Sequence, residues 1–268
     1  MPNLHAYGYA PLYGLETILA IAVVTWLLSL AKHDVSIVDS VWSALILGAG
    51  ITYALTLPQA GPRATWLLAL AGLWALRLAG YITWRNWGEA EDHRYREIRA
   101  RNQPNFTVKS LYLVFGLQGV LAWIVSTPLL AALASMRAPG VLDALGVALF
   151  AFGFAFETAA DLQLARFKAR PETKGRVLDT GLWHYSRHPN YFGEFCVWWG
   201  FYLIALAAGG WWAIVSPLLM SLLLMKVSGV TLLEKDIGER RPSYREYIAR
   251  TNAFFPGAPR TGPSTTKK

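Results

Sequence analysis

The sequence predicts an all-α, polytopic integral membrane protein with seven transmembrane helices, its N-terminus outside and its C-terminus inside. Of its 268 residues, 54% are hydrophobic and only 16% are charged, which is too apolar for an ordinary soluble domain. Seven stretches come close to the roughly 20 apolar residues that a membrane helix needs. Lys and Arg are concentrated in alternate connections, and this bias orients membrane proteins.

The seven predicted spans are separated by breaks rich in glycine and proline, such as Pro139-Gly140 and Gly209-Gly210. We expect one seven-helix domain over residues 1–256 and a disordered tail over residues 257–268, because the tail is rich in Pro, Gly, Ser, Thr and Lys. The N-terminus has no basic region before its first apolar stretch, so we expect no removable signal peptide. The predicted spans cover about residues 12–31, 35–56, 64–84, 111–135, 141–164, 191–208 and 211–231.

The positions of the basic residues predict the orientation. With the N-terminus outside, 21 of the 25 Lys and Arg residues fall in inside connections, and only Arg63 and Arg137 fall outside. The net charge of +8 therefore indicates topology rather than nucleic-acid binding. We expect an integral protein of a bacterial inner membrane, with its polar connections in the cytoplasm and no nucleic-acid partner.

Several kinds of site are excluded or disfavoured. The single cysteine, Cys196, excludes an internal disulfide and an all-cysteine metal site. The pair His184 and His188 has helical spacing, but Pro189 follows directly, so we predict no metal site. The sequence also contains no Walker loop, no nucleophile elbow and no Rossmann glycine motif, so any dinucleotide is bound in another way.

The stretch GLWHYSRHPNYFGE, residues 181–194, is the most polar and aromatic part of the chain next to a predicted span. Hydrogen-bond donors, imidazole groups and stacking rings at a helix entrance suit an anionic cofactor that carries an aromatic base. The alternative is an interfacial Trp/Tyr/Arg anchor without chemistry. The candidate cofactor ligands in this stretch are Tyr185, Arg187, His188, Asn190, Tyr191 and Glu194.

Ionisable residues inside predicted spans are costly and usually face a cavity or a partner. In the fifth span, Glu157, Asp161 and Lys168 follow helical spacing towards the inside end, and in the seventh Lys226 lies about eight residues before Glu234. These residues are candidates for the cofactor site. Alternatively, the acids pair with basic residues and stabilise the helix bundle.

The second and third predicted spans carry the candidate catalytic face. In the second, Trp42 lies on the same helical face as Asp39, although Asp39 also fits a helix N-cap. In the third, four residues step by three or four positions and so share one face, although its first arginine could be a structural partner for an acid. These four residues are Trp74, Arg77, Tyr81 and Arg85.

The C-terminal half carries three motifs of a known family: D161-x4-R166-x-K168, the stretch 181–194 with Trp198 one turn later, and L-L-E234-K-x3-E-R-R-P-x-Y-x-x-Y. Over residues 35–256 the chain resembles the steroid 5-alpha-reductase C-terminal superfamily, and within it the group called domain of unknown function 1295. The resemblance implies a seven-helix membrane reductase that binds NADPH near the cytoplasmic ends of its later helices. Such enzymes reduce a carbon–carbon double bond conjugated to a ketone.

The resemblance also implies roles for single residues. Asp39 falls where the family keeps an acid that hydrogen-bonds the substrate ketone, but Val38 replaces the preceding glutamine, and Trp74 replaces the tyrosine of the third helix. Trp42 and Tyr81 could assist Asp39. Positions that match the family's cofactor ligands are Asp161, Lys168, Arg176, Asn190, Glu194, Trp198 and Lys226; we add Arg77, Arg85, Glu157, Arg166 and Glu234 as candidates.

The predicted activity is therefore the NADPH-dependent reduction of a lipid-soluble enone, steroid-like or isoprenoid-like, that enters from the bilayer. We expect Asp39, in its protonated form, to donate to the carbonyl oxygen as charge develops there. A second resemblance, to the isoprenylcysteine carboxyl methyltransferases, rests on R-H-P-x-Y-x-G and implies S-adenosylmethionine instead. The basic connection 165–180 favours NADPH, because its phosphates need several cations. A non-enzymatic membrane carrier is the third alternative.

Overall fold

The fold is known from a computed structural model, which describes residues 7–227 and 243–260. Within these residues the chain is helical and contains no β-strand. The first five predicted spans are confirmed as helices long and apolar enough to cross a membrane. They are α1 (Ala10–Lys32), α2 (Ile37–Thr56), α3 (Ala64–Asn86), the run Phe106–Leu133, and α8 (Val141–Lys168).

Shorter helices connect or follow these five. The run Phe106–Leu133 consists of α5 (Phe106–Ser110), a π-helical segment (Leu111–Gly116), α6 (Leu117–Val125) and α7 (Thr127–Leu133). The sixth predicted span forms α10 and the seventh forms the shorter apolar helix Trp211–Lys226, so the count of seven spans stays a prediction. The remaining helices are α4 (His93–Arg101), α9 (Leu182–Tyr185), α10 (Pro189–Ala207), α11 (Val215–Leu222) and α12 (Ser243–Arg250).

The turn between α1 and α2 determines where Asp39 lies. Helix α1 ends at His33, whose left-handed backbone (φ 54°) closes the helix, and the N-cap of α2 is Ser36. The Asp34 carboxylate accepts from the Ser36 backbone N–H at 2.8 Å and thereby stabilises this turn. Asp39 therefore lies inside the first turn of α2 and is not the helix cap.

The described chain divides into two compact units. Unit 1 comprises Met1–Asp143 with Ile204–Ser216, and unit 2 comprises Ala144–Leu203 with Pro217–Lys268. In unit 1, α1, α2, α3 and α6 pack side by side. A buried hydrophobic cluster in this unit joins residues from α1, α2, α4 and the run Phe106–Leu133. Its members are Ala22, Val35, Val38, Tyr95, Phe106, Val114 and Phe115.

Unit 1 also contains a buried ion pair. Arg63 has no exposed surface, and its Nε lies 2.6 Å from Asp143 Oδ1 while its Nη2 lies 2.8 Å from Asp143 Oδ2. The guanidinium also donates to the Arg137 carbonyl at 2.6 Å, and the Gly140 N–H donates to Asp143 at 2.8 Å. Arg63 therefore has a structural role in unit 1.

In unit 2, glycines bring α8 and α10 into close contact. A Cβ atom added at Gly193 would lie 2.5 Å from the backbone nitrogen of Glu157, and one added at Gly153 would lie 2.6 Å from the Gly193 carbonyl oxygen. Neither position leaves room for a side chain. This close approach places the polar residues of α8 directly beside the first turns of α10.

Candidate functional site

Asp39 forms a polar site in unit 1 with two residues of α4. Its Oδ1 accepts from the Tyr95 hydroxyl at 2.5 Å, and its Oδ2 accepts from Arg94 Nη2 at 2.9 Å. Tyr95 is buried in the hydrophobic cluster, and its hydroxyl also interacts with the Gln118 side chain. Burial and the neighbouring Asp39 raise the pKa of Tyr95, so the phenol stays protonated and donates to the carboxylate.

Two further acids, which directly precede α4, stabilise this helix within unit 1. Glu91 accepts from Arg99 Nη2 at 2.7 Å and from the Val35 backbone N–H at 2.9 Å, while Asp92 is the N-cap of α4 and accepts from the Arg94 backbone N–H at 2.9 Å. Burial opposes the ionisation of Glu91, but its hydrogen bonds outweigh burial and lower its pKa. These contacts fix the position of the two Asp39 partners.

Trp42 lies one turn after Asp39 on α2. Its indole N–H is buried and has no hydrogen-bond acceptor among the residues that the structure describes. Ser43, the next residue, donates to the Ala75 carbonyl at 2.9 Å and ties α2 to α3.

Three of the four residues predicted to share a face of α3 are in contact. The guanidinium carbons of Arg77 and Arg85 lie 5.5 Å and 5.8 Å from the centre of the Tyr81 ring, within the range of cation–π contacts. Trp74, the first member of this face, is fully buried. Tyr81 therefore packs with two arginines of its own helix.

In unit 2, the structure brings together two pairs of predicted cofactor ligands. Asn190 Nδ2 donates to Asp161 Oδ1 at 3.1 Å, which joins α8 to the first turn of α10. Trp198 Nε1 donates to Glu194 Oε1 at 3.0 Å, one turn apart on α10. Both acids are buried, as is Glu157, which packs against Gly193. The interface of α8 and α10 is therefore a buried polar strip.

The stretch 181–194 begins with a glycine that the geometry requires. Gly181 has a φ of 62°, and a Cβ atom there would lie 2.6 Å from the Gln163 side-chain oxygen. That oxygen accepts from the Leu182 N–H at 2.9 Å, and Trp183 Nε1 donates to the Ala160 carbonyl at 3.0 Å. Two residues of α8 thus fix the start of the stretch.

Arg187, a predicted cofactor ligand, contacts the segment around α12. Its Nη1 donates to the Ile248 carbonyl at 3.2 Å and to the Thr251 carbonyl, and its backbone N–H donates to the Asn252 carbonyl at 2.9 Å. The arginine is buried. These contacts give Arg187 a role in joining the stretch 181–194 to the C-terminal segment.

A cavity of about 490 Å³ opens in unit 2 between the end of α8, the following turn and α12. Such a volume falls within the range of about 300–1,000 Å³ for small-molecule sites. Four cations line it, Lys168, Arg170, Lys174 and Arg176, and no acidic residue does so within residues 7–227 and 243–260. Four aromatic residues, Phe167, Trp183, Tyr244 and Tyr247, also line it. The cavity is thus suited to an anion that carries a planar ring.

The other predicted ligands lie away from this lining. The His188 and Tyr191 rings stack on each other with centres 5.5 Å apart, and Tyr185 is about half exposed. Arg166 and Lys226 are exposed and do not line the cavity. Glu234 lies outside the described residues. Within the described ranges, no group of three His, Cys, Asp or Glu residues could hold a metal ion.

Sequence reasoning missed several of these residues. Arg94 and Tyr95 occur in HRYREIRAR, where only the N-cap Asp92 signals a helix; nothing there indicates a partner 55 residues earlier. Tyr244 and Tyr247 stand in the quoted motif P-x-Y-x-x-Y but carried no predicted role. Their spacing of three would have placed both on one helical face.

Comparisons with known proteins identify a family but name no activity. The chain is 28% identical over 264 residues to the uncharacterized protein C594.04c of Schizosaccharomyces pombe, which covers 87% of this chain and 76% of that relative. No solved structure matches the chain. The family model described as "Protein of unknown function (DUF1295)" matches residues 25–251, and the chain therefore belongs to the DUF1295 family.

Proposed function

We propose that this protein is a membrane-embedded reductase that uses NADPH to reduce a carbon–carbon double bond conjugated to a ketone in a lipid-soluble substrate. The observation that carries the proposal is the unit 2 cavity, where four cations and four aromatic residues meet and none of the described lining residues is an acid. The resemblance to the steroid 5-alpha-reductase superfamily supplies the reaction. The proposal includes seven spans with the N-terminus outside, and a cavity that faces the cytoplasm of a bacterial cell.

The residues of the cavity fit the charge and shape of NADPH. The cofactor carries a pyrophosphate and a 2′-phosphate, and Lys and Arg bind such groups through charge-assisted hydrogen bonds. Lys168, Arg170, Lys174 and Arg176 would bind the phosphates, and Tyr244 or Trp183 offers a ring for the adenine to stack on. S-adenosylmethionine fits less well, because it has no phosphate and its sulfonium would be repelled by the same cations.

The buried polar strip of unit 2 would position the remainder of the cofactor. Asp161 and Asn190 are already joined by a hydrogen bond, and Glu194 is oriented by Trp198. Carboxylate and amide groups suit the ribose hydroxyls and the nicotinamide amide, because these offer donors as well as acceptors.

NADPH would supply the hydride in an overall reaction that consumes the enone, NADPH and one proton and yields the saturated ketone and NADP⁺. As the enone is reduced, negative charge would develop on its carbonyl oxygen. Donors directed at that oxygen stabilise the charge. We assign the carbonyl end of the substrate to the face of α2 that carries Asp39, whose two oxygens accept from Tyr95 and Arg94, and we take the proton that completes the reduction at the α-carbon to come from water.

Titration of the purified protein in detergent with NADPH, NADH and S-adenosylmethionine tests the proposal. We expect NADPH to bind much more tightly than the other two. The double variant Lys174→Gln/Arg176→Gln should weaken NADPH binding at least tenfold, because hydrogen bonds to charged groups contribute about 1.5–3 kcal/mol each. Arg101→Gln, which removes a cation that is 75% exposed and remote in sequence, is the matched control. Tight adenosylmethionine binding without NADPH binding would favour the methyltransferase alternative.

A further inference from the structure

The Trp42 indole N–H stands out among the described tryptophans because its nitrogen is buried and finds no acceptor in residues 7–227 and 243–260. A buried donor without an acceptor destabilises a protein, and native structures almost always satisfy such groups. Other indoles in unit 1 do so: Trp123 Nε1 donates to the Pro11 carbonyl at 2.9 Å, and Trp26 Nε1 donates to the Thr107 carbonyl at 3.1 Å. The exception at Trp42 therefore needs an explanation.

The polar groups nearest to Trp42 along α2 are already engaged. Both Asp39 oxygens accept, from Tyr95 and from Arg94, and the Ser43 hydroxyl donates to the Ala75 carbonyl. Trp42 follows Asp39 by three positions, so their side chains are neighbours on the helix surface. The donor that this part of α2 offers to a ligand is thus the indole N–H.

The chemistry of the site defines the group that this donor would bind. An indole N–H can only donate, so the ligand must present an acceptor. An anionic acceptor would be repelled by the Asp39 carboxylate one turn away, and the cation beside it, Arg94, is already shared between Asp39 and Asp92. A neutral oxygen, such as that of a ketone, avoids this repulsion.

We propose that Trp42 Nε1–H donates to the carbonyl oxygen of a lipid-soluble ligand and is a catalytic donor in the reduction. The identification of that ligand as an enone substrate rests on the proposed function. The hydrogen bond strengthens as negative charge develops on the oxygen, because a donor fixed in a buried site needs no reorganisation. The destabilising orphan donor of the free protein is then satisfied when substrate is bound.

The test compares two ligands and two variants without cofactor. The ligands are β-ionone, an isoprenoid enone, and the hydrocarbon of the same skeleton in which a methylene group replaces the carbonyl. The wild-type protein should bind the ketone with an affinity about five- to tenfold higher than that of Trp42→Phe, because the variant loses one hydrogen bond to a neutral group. Both proteins should retain the hydrocarbon equally.

Trp123→Phe is the matched control, since it makes the same change of side chain but removes an N–H that already has an acceptor. This variant should retain the ketone as the wild type does. If Trp42→Phe does not fold, benzothienylalanine at position 42 removes the N–H while keeping the two-ring shape. Turnover of β-ionone with NADPH should fall by about ten- to a thousandfold in either Trp42 variant, with NADPH affinity unchanged.

The outcomes separate this inference from the reductase assignment. If the wild-type protein binds the ketone and the hydrocarbon equally well, or binds neither, the role of Trp42 is overturned. A Trp42 variant that keeps the wild-type preference for the ketone overturns it as well. A wild-type protein that prefers the ketone but binds no NADPH overturns the reductase and supports Trp42 as a carbonyl donor.

Discussion

Asp39 receives both of its described hydrogen bonds from neighbouring residues of one short helix, Arg94 and Tyr95 of α4. A carboxylate inside a predicted membrane span is costly unless it is paired, and these two donors meet that requirement. Arg94 also donates to Asp92, so a single guanidinium connects the first turn of α2 to the N-cap of α4. The geometry of Asp39 therefore depends on α4 being in place.

Tyr95→Phe tests this dependence. The variant removes the hydroxyl that donates to Asp39 and leaves a charged acceptor with one donor fewer, so the free energy of unfolding should fall by about 1.5–3 kcal/mol. Thermal or denaturant unfolding in detergent measures the change. Tyr112→Phe, at a tyrosine that is 59% exposed, should stay within about 0.5 kcal/mol of the wild type. Equal stability of the two variants would show that the hydroxyl contributes nothing.

Asn190→Ala tests the polar strip of unit 2. The variant removes the amide that donates to Asp161 at 3.1 Å, and under the proposed function it also removes a cofactor ligand. NADPH affinity should fall roughly ten- to a hundredfold, since such a hydrogen bond contributes about 1–3 kcal/mol. Fluorescence titration of folded protein measures this. Wild-type affinity would assign the residues around Asn190 to a structural anchor at the membrane interface.

The close packing of helix α8 against helix α10 requires glycine at the contact. Gly193→Ala would place a methyl group 2.5 Å from the Glu157 backbone nitrogen and 2.6 Å from the Glu157 Cβ, and neither atom can move away without shifting α8. We expect a loss of about 1–3 kcal/mol in the free energy of unfolding and weaker cofactor binding. Gly72→Ala is the control, because nothing lies within 4 Å of its added Cβ. Gly72→Ala should be about 0.5–1 kcal/mol more stable than the wild type, because alanine favours a helix. A Gly193→Ala protein as stable as Gly72→Ala would refute the close packing.

The attachment of α4 should be sensitive to acid. Hydrogen bonds outweigh burial at Glu91 and Asp92 and lower the pKa of each below its ordinary value of 4.5 or 3.8. A depressed carboxyl pKa contributes stability that is present above the ordinary value and is lost as pH falls through the lowered one. Unfolding midpoints should therefore decrease as pH drops below 4.5. Glu91→Gln should show a shallower decrease, and an equal slope would assign the acid sensitivity elsewhere.

Some of these side-chain contacts can be predicted from the sequence and others cannot. Glu194 and Trp198 are one turn apart on a helix, so their contact follows from spacing, and the face formed by Arg77, Tyr81 and Arg85 follows in the same way. The partners of Asp39 lie 55 and 56 residues away, and helical periodicity carries no information about such distances.

Arg187 shows the same limit in a different form. The sequence places the five donors of this arginine next to aromatic residues, a pattern that predicts a cofactor ligand. It does not predict which acceptors those donors bind. The acceptors are backbone carbonyls at Ile248 and Thr251, which any residue could supply. The cations that line the cavity were likewise found only in part: the family resemblance implied Lys168 and Arg176 as cofactor ligands, whereas Arg170 and Lys174 became candidates through the path of the turn after α8.

For the whole molecule, the described residues confirm five helices able to cross a membrane, and the orientation stays a prediction from the distribution of Lys and Arg. Cysteine labelling tests it in a Cys196→Ser background. Ala138→Cys places an exposed thiol just before the first residue of α8, and Ala169→Cys places one just after its last residue. A membrane-impermeant maleimide should label position 138 in intact cells and position 169 only after permeabilisation. The reverse pattern would invert the topology, and labelling of both in intact cells would show that α8 does not span the membrane.

The contacts of Arg187 have a consequence for biosynthesis. The carbonyls that it binds, and the two tyrosines that complete the cavity, belong to residues 244–252, which a ribosome adds after every other described element of unit 2. Domains form progressively from the N-terminus during translation. A nascent chain that already contains α8, α9 and α10 has the four cations, Phe167 and Trp183 but lacks Tyr244 and Tyr247. Under the proposed function, the ability to bind the ligand would therefore arise late, and it would distinguish finished polypeptides from those that stalled or were cleaved before α12.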